Sequence, residues 1–308
     1  MACYHNKFIY KGSSNIQNGL YIVAFDADNG DTDAFLGMDN IYGDRYDGTS
    51  RYDYGARYNT VATITITMVK QDASNMSVLE FRNIARWLTG AKMSSWLDLY
   101  KADEVGNDVI DYSFLCKCIE LNQYKLDGRV IGVTAKFESV SPFAYSPIQT
   151  VSAQLTGSET SIHLANYTDD LYSFVYPTVV FENSADYSLS IYNEATDETT
   201  SITKLGVDEV VTMNSNQIIF SSIENKIFGS TFNFTWLRLA PGSNNLTVSG
   251  IGNLTISYRY PMKVGDCIVD INSLNGYDCG TCNHTIATDE EVKNVFNSSY
   301  EEIFGGEH

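Results

Sequence analysis

Ser77–Tyr100, SVLEFRNIARWLTGAKMSSWLDLY, carries the only persuasive helix pattern in a chain that otherwise reads mainly as strands. Phe81, Ile84, Ala85 and Leu88 fall at i, i+3, i+4 and i+7, a single apolar stripe on a 3.6-residue period. Ser77 and Glu80 have capping-box spacing: the hydroxyl accepts from the N3 amide and the carboxylate reaches back to the cap amide. Gly90 follows the last periodic residue, where a left-handed C′ glycine is expected. The spacing predicts a helix over 78–89 with Phe81, Ile84, Ala85, Trp87 and Leu88 as its core face, and with Arg82, Asn83 and Arg86 outward. One helix does not make a core by itself, so the rest of the chain must supply a sheet whose open face the helix covers.

Strands fill the remainder of the N-terminal half. Lys7–Tyr10 and Leu20–Phe25 are short candidates around a turn at Gly12. In Val61–Lys70, Ala62, Ile64, Ile66 and Met68 alternate with threonines, the signature of a half-buried strand. Trp96–Tyr100 reads as another, and Asp111–Leu126 and Arg129–Val140 flank Asp127-Gly128, a strong hairpin signal. Cys116 and Cys118 share one face of a strand, a poor geometry for a disulfide, and are expected as buried thiols. Asp26–Asp33 crowds acids around Gly30 but places glycine at the wrong position for a calcium loop, so a solvated acidic loop is expected. Residues 39–59 read as a long loop rich in Tyr and Arg. Such a loop is either plain surface or an arm on a neighbouring subunit, with Arg45, Tyr46, Arg51, Tyr52, Tyr54, Arg57 and the helix residue Arg86 as interface candidates.

Ser139–Pro147, with two prolines among serines, marks a connector. The chain then divides into an N-terminal β domain over 1–145, a second β domain over 146–262 and an extension over 263–308. Ten strand candidates about ten residues apart, from Gln149–Leu155 to Gly252–Tyr260 and including Thr231–Leu239, make the second domain a β-sandwich. The fold class is mainly β.

The formal charge of −18 argues against a nucleic-acid-binding face, which needs clustered cations, although an acidic wall suits a channel through which DNA slides without sticking. No secretory signal and no 18-residue apolar run is visible, so no membrane partner is expected. The Asn-x-Thr sequons at Asn166, Asn233, Asn245 and Asn253 carry little weight without a secretory route. No nucleophile elbow, phosphate loop, dinucleotide fingerprint or histidine-based metal motif occurs, and no enzyme activity is expected. Cys279-x-x-Cys282-x-His284 with Cys267 is the one candidate metal set, open to structural zinc, a disulfide or free thiols; apart from that zinc no cofactor is expected. The last 22 residues carry six acids against Lys293 alone, and Glu290–Phe304 has a weak amphipathic pattern.

Phe234–Arg259, FTWLRLAPGSNNLTVSGIGNLTISYR, resembles the C-terminal signature of phage distal tail proteins: Trp236, Leu237 and Leu239, then Gly242 with Asn244 or Asn245, then Ile256, Tyr258 and Arg259. Upstream, Tyr176-Pro177, Ile191-Tyr192-Asn193 and Gly206–Glu209 follow the same order, as do the Tyr/Arg-rich stretch, the threonine-alternating strand and the Arg86-Trp87-Leu88 helix. The resemblance covers about residues 8–262, and the cysteine-bearing tail departs from it. It implies an N-terminal β-barrel or sandwich with one helix that builds a homo-hexameric ring, and a galectin-like or carbohydrate-module-like sandwich projecting outward. The implied partners are further copies of the chain, the tail tube protein, a tail tip or baseplate hub protein and a receptor-binding protein. The implied place is the virion tail, assembled in the host cytoplasm, with DNA passing through unbound. The residues leave one other reading open, a carbohydrate-binding protein acting through the second sandwich. That reading needs an exposed aromatic platform, and Trp236, the only Trp of that domain, lies in an apolar strand pattern.

Overall fold

A computed structural model of the chain describes residues 5–27, 38–43, 51–58, 61–90, 92–102, 105–185 and 187–263. In chain order its N-terminal elements are β1 (Lys7–Tyr10), β2 (Ser13–Ser14), β3 (Leu20–Ala27), β4 (Met38–Gly43), β5 (Tyr52–Tyr58), β6 (Thr63–Lys70), α1 (Val78–Thr89), β7 (Ser95–Ala102), β8 (Asp108–Leu126), β9 (Arg129–Ser139) and β10 (Ala144–Tyr145). The C-terminal elements are β11 (Gln149–Thr156), β12 (Thr160–Asn166), β13 (Thr178–Asn183), β14 (Tyr187–Asn193), β15 (Glu198–Leu205), β16 (Val210–Met213), β17 (Ile219–Ser221), β18 (Gly242–Ser249), β19 (Ile251–Tyr258) and β20 (Pro261–Met262). α1 is the one helix among the described residues.

The first sheet runs β2-β1-β7-β8-β9-β6-β3, with β10 and β20 attached beside β8. Its covered face presents Ile64, Ile66 and Met68 from β6, Leu97 and Leu99 from β7, and Val133, Ala135 and Phe137 from β9, all fully buried. The period-2 alternation of β6 therefore does sort its side chains, as the threonines predict. β8 and β9 turn at Asp127 and Gly128, whose φ values of 48° and 76° are those of a type I′ hairpin.

The helix covers this face. Ser77 Oγ accepts from the Glu80 amide at 3.2 Å, and the Glu80 carboxylate accepts from the Ser77 amide at 2.7 Å. Ile84 and Leu88 are buried; Phe81 and Trp87 are half-buried against the same core, and Ala85 is half-buried beside them. Trp87 stacks on Phe8 at 5.6 Å and donates from Nε1 to the Tyr10 carbonyl at 2.8 Å. Lys11 Nζ donates to the Trp87 and Leu88 carbonyls at 3.3 and 3.1 Å, a cation on the negative end of the helix dipole. Gly90 is not left-handed: its φ of −69° and ψ of −15° continue the right-handed turn, and its amide still donates to Arg86. With Lys11 already satisfying the last carbonyls, no reversal of the chain is needed there.

The hydrogen bond from the Ser77 amide, followed by those from Lys70 and Ser77 Oγ–H, holds the Glu80 carboxyl down at about 2. A depressed acid stabilises the folded state above its ordinary value, and that contribution is lost as pH falls from about 4.5 towards 2. Ser77→Ala removes the cap and is expected to cost about 1 kcal/mol, read as a lower melting temperature at neutral pH.

The second half is a sandwich of a five-stranded sheet, β11-β19-β13-β16-β17, and a four-stranded sheet, β12-β18-β14-β15. Phe181, Leu189, Ile191, Ile202, Leu205, Leu246, Val248, Leu254 and Ile256 interdigitate between them with almost no exposure. Thr231–Leu239 is a correction: it forms no strand, and its pairing amounts to two isolated bridges, Ile202 to Phe232 and Val175 to Leu239, with the backbone bonds around them to Ser201, Thr203 and Val175. At its end, buried asparagines satisfy further backbone groups of Arg238, Leu239 and Ala240. Asn193 Nδ2 donates to the Arg238 carbonyl at 2.8 Å, Asn166 Nδ2 to those of Leu239 and Ala240, and Asn244 both donates to and accepts from Ala240. Leu237 and Leu239 are thus buried apolar anchors on a crossing segment whose end nearby asparagine amides satisfy.

Candidate functional site

The Tyr/Arg-rich stretch is not a loop. β4 and β5 pair antiparallel as a separate two-stranded ribbon, from Met38 opposite Tyr58 to Gly43 opposite Tyr52. Nearly every residue of both strands is exposed, and Tyr54, at 67%, is more open than any other tyrosine on the ribbon. Tyr52 and Tyr54 stack at 6.4 Å, and the Arg51 guanidinium lies over the Tyr42 ring. A Cβ at Gly43 would overlap the Tyr54 ring, so glycine is required for this packing. The ribbon is held at its base, where Tyr58 meets the buried Phe143 edge-on at 5.0 Å. A two-stranded ribbon with both faces in water is marginal alone. Tyr42, Tyr52 and Tyr54, with Arg57 4.0 Å from Asp39, thus form an exposed aromatic arm whose two arginines are balanced by Asp39 and Asp53. Arg45 and Tyr46 lie outside the described residues. Arg86 is exposed on the helix, on an element remote in sequence from the arm.

The second feature is the junction. The chain leaves the first sheet through β10 and comes back from the sandwich as β20, which pairs with β10 through Ala144–Met262 and Tyr145–Pro261. Tyr145 also pairs with Ser113 of β8. Arg259 plugs the space between. Its Nη1 donates to Ser113 Oγ at 2.7 Å and to the Ser146 carbonyl at 3.1 Å, and its Nη2 lies 3.1 Å from Asp98. The guanidinium also sits 4.7 Å over the Trp96 ring, and Trp96 meets Tyr145 edge-on. Burial pushes the Arg259 guanidinium down from its ordinary value and Asp98 pulls it back, with burial the larger effect. The side chains of Arg259 and Asp98 are 13% and 18% exposed, so the pair is largely shielded from salt.

A third charged group, Glu209, is wholly inside the sandwich. Lys226 Nζ donates to both of its oxygens at 2.6 Å, and Ser221 Oγ and the Gly206 amide also donate. Burial raises this carboxyl, but the four donated hydrogen bonds outweigh it and leave it below the ordinary value. Glu209 therefore stabilises the fold at neutral pH and ceases to as pH falls through the acidic range.

Trp236 is half-buried and packs edge-on to Phe232 at 5.0 Å against the sandwich core, so it offers no open platform for a sugar ring. Cys116 is buried and Cys118 half-buried, both free, and burial pushes the Cys118 thiol up to about 11. Among the described residues no cluster of three or more His, Cys, Asp or Glu is placed to hold a metal ion. Cys267, Cys279, Cys282 and His284 lie outside the described residues, as do residues 28–33 of the acidic stretch; Asp26 and Ala27 finish β3. Also among the described residues, no helix is long and apolar enough to cross a membrane.

Two family models match the chain and together span most of it. Residues 3–141 match a phage tail protein N-terminal domain, and residues 143–258 match a phage tail C-terminal domain. The chain belongs to a family of phage tail proteins. The fold of this tail protein is also that of solved tail components. The crystal structure of the SPP1 Dit protein, described as a paradigm of the hub adsorption apparatus in phages that infect Gram-positive hosts, aligns with a TM-score of 0.54 at 10% identity. That alignment covers 83% of this chain and 99% of the SPP1 chain. A chain of the phage P2 baseplate in its activated conformation aligns with a TM-score of 0.50 at 6% identity, covering 83% and 98%. At these identities the likeness is one of fold. No curated protein matches the tail protein in sequence.

Sequence reasoning singled out the arm residues for their chemistry but missed that they form strands. In the sequence Arg259 stands only as the end of a strand pattern. Its partners, Ser113 in β8 and Ser146 in the connector, lie 146 and 113 positions earlier, so only an arginine closing an apolar strand could have hinted at its role.

Proposed function

We propose that this tail protein is a distal hub subunit, a structural protein without catalysis that assembles with copies of itself into a ring, most simply a hexamer, between tail tube and tail tip. The observation that carries the reading is that both halves, in one chain and in order, share the fold of the SPP1 Dit protein over nearly all of that protein's length. Residues 1–145 would build the ring, with the β4–β5 arm gripping the next subunit, and residues 146–262 would project towards tip, baseplate or receptor-binding proteins. Two separate hydrophobic cores, one in each half, support that division. An acidic lumen would let DNA pass without binding, consistent with the net charge of −18.

Sedimentation velocity and negative-stain microscopy on the full chain test this. The expected result is a closed ring of several copies; a strict monomer at high concentration overturns it. Tyr54→Glu with Arg57→Glu is expected to shift rings to monomers while the melting temperature moves by only a few degrees, because both residues are exposed. Arg86→Glu serves as the comparison: if it disrupts the ring and the arm variant does not, the helix rather than the arm faces the neighbour.

A further inference from the structure

The five-stranded sheet of the sandwich ends at β17, which pairs with β16 alone among the described residues. The register is Val211–Ser221, Thr212–Phe220 and Met213–Ile219. Asn214 donates to the Ile218 carbonyl at 2.9 Å, and Ser222 donates to the Val210 carbonyl at 2.8 Å. Antiparallel rungs alternate, so Phe220 turns its backbone groups towards β16, while Ile219 and Ser221 turn theirs away from the sheet. The outer edge of β17 is thus a short row of open donors and acceptors.

Sheet edges are normally protected by lysines, prolines, bulges or a covering segment. The other sheet follows that rule at β15, where Thr203 donates to the Thr231 carbonyl and Asn233 to that of Ser201, so Thr231–Asn233 closes the edge. Among the described residues β17 has no such cover. Residues 210–223, VVTMNSNQIIFSSI, contain no charged residue and no proline, in a chain of net charge −18. Ile218 and Phe220, two apart and therefore on one face, are 55% and 52% exposed, and Ile223 nearby is 47% exposed.

We propose that β17 pairs antiparallel with β17 of a second copy of this chain, about a two-fold axis at Phe220, fusing two five-stranded sheets into one. Charge and symmetry select the occupant. Two chains of this acidity repel, so an uncharged patch is where two copies meet at least electrostatic cost, and this hairpin is such a patch that carries its own pairing template. The open groups are self-complementary: Ile219 of one copy lies opposite Ser221 of the other, and the reverse. Phe220 then faces Phe220 in a non-hydrogen-bonded position, where cross-strand side chains come closest and aromatic pairs contribute most. The contact is independent of the ring reading, since a two-fold pairing joins two copies whether or not either is in a ring.

The register makes the test specific. In the non-hydrogen-bonded position facing Cα atoms are about 4.5 Å apart, within reach of a disulfide. Full-length Phe220→Cys, oxidised with glutathione disulfide, is expected to give at least tenfold more covalent dimer on a non-reducing gel than the wild type, whose native cysteines set the background. Ile218→Cys should stay at background, because Ile218 faces Ser222 of the other copy. Adding Ile219→Pro to Phe220→Cys should abolish the dimer, because it removes an outward amide that β16 does not use. Phe220→Cys cross-linking no better than Ile218→Cys, or surviving Ile219→Pro, overturns the proposal. Because the readout is a covalent dimer of stated register, its failure is distinct from failure to form rings.

Discussion

Leu88→Asp is expected to unfold the N-terminal half of the tail protein. Leu88 is 1% exposed and sits on the last turn of the one helix covering the first sheet. Losing its burial removes about 1.5–3 kcal/mol, and placing a carboxylate in the same apolar site costs several more. The sum is of the order of the whole stability of a domain, about 5–15 kcal/mol. Nor is a compensating cation to hand, since Lys11 already donates to the Trp87 and Leu88 carbonyls. The effect should extend beyond the helix, because Leu88 shares its core with Ile84 and with the strands that carry Phe8 and Phe137. Circular dichroism melting should show the first half already unfolded at 25 °C. Leu88→Met, which keeps the volume, should cost less than about 1.5 kcal/mol. A Leu88→Asp protein that melts like the wild type would mean that the helix does not close this core.

The contrast between this helix and the arm shows what sequence can carry. Helix α1 was legible to the residue because its cap, its stripe and its neighbours all report local geometry at spacings of three and four. The Asp127-Gly128 hairpin and β6 were legible for the same reason, one through turn chemistry and the other through alternation against a core. The ribbon of β4 and β5 escaped because both of its faces are in water, so no burial sorts its side chains into a period of two. Thr231–Leu239 failed in the opposite direction. Its apolar residues look strand-like, but its backbone meets neighbours only at scattered points, and its end bonds to the side chains of Asn166, Asn193 and Asn244, supplied from up to 74 residues away. The fold class came through because it depends on many local signals. The junction did not, because Arg259 and Ser113 are 146 residues apart and nothing local to either marks the other.

That junction carries the second large effect: Arg259→Met is expected to uncouple the sandwich from the first sheet. Methionine retains much of the contact with Trp96 but leaves Asp98, 18% exposed, without its cation. Asp98 then keeps only the hydroxyl of Ser113, at 2.5 Å, and the Ser146 carbonyl loses a donor. Breaking one side of a buried pair costs about 3–5 kcal/mol, and partial exposure places this one near the lower end. The loss should appear as two calorimetric transitions where the wild type shows one, since β10 and β20 alone would join the halves. Arg259→Lys restores charge without the forked geometry that reaches Ser113, Ser146 and Asp98 together, and should recover only part of the coupling. The decisive measurement is the double variant with Asp98→Asn. If the pair acts as described, the double variant is more stable than Arg259→Met alone, because no uncompensated carboxylate remains. If the two changes simply add, Arg259 acts through packing on Trp96. Two short crossing strands alone would leave the angle between the sandwich and the first sheet soft. A forked cation that ties β7, β8 and the connector together makes the angle a property of the fold rather than of the neighbours.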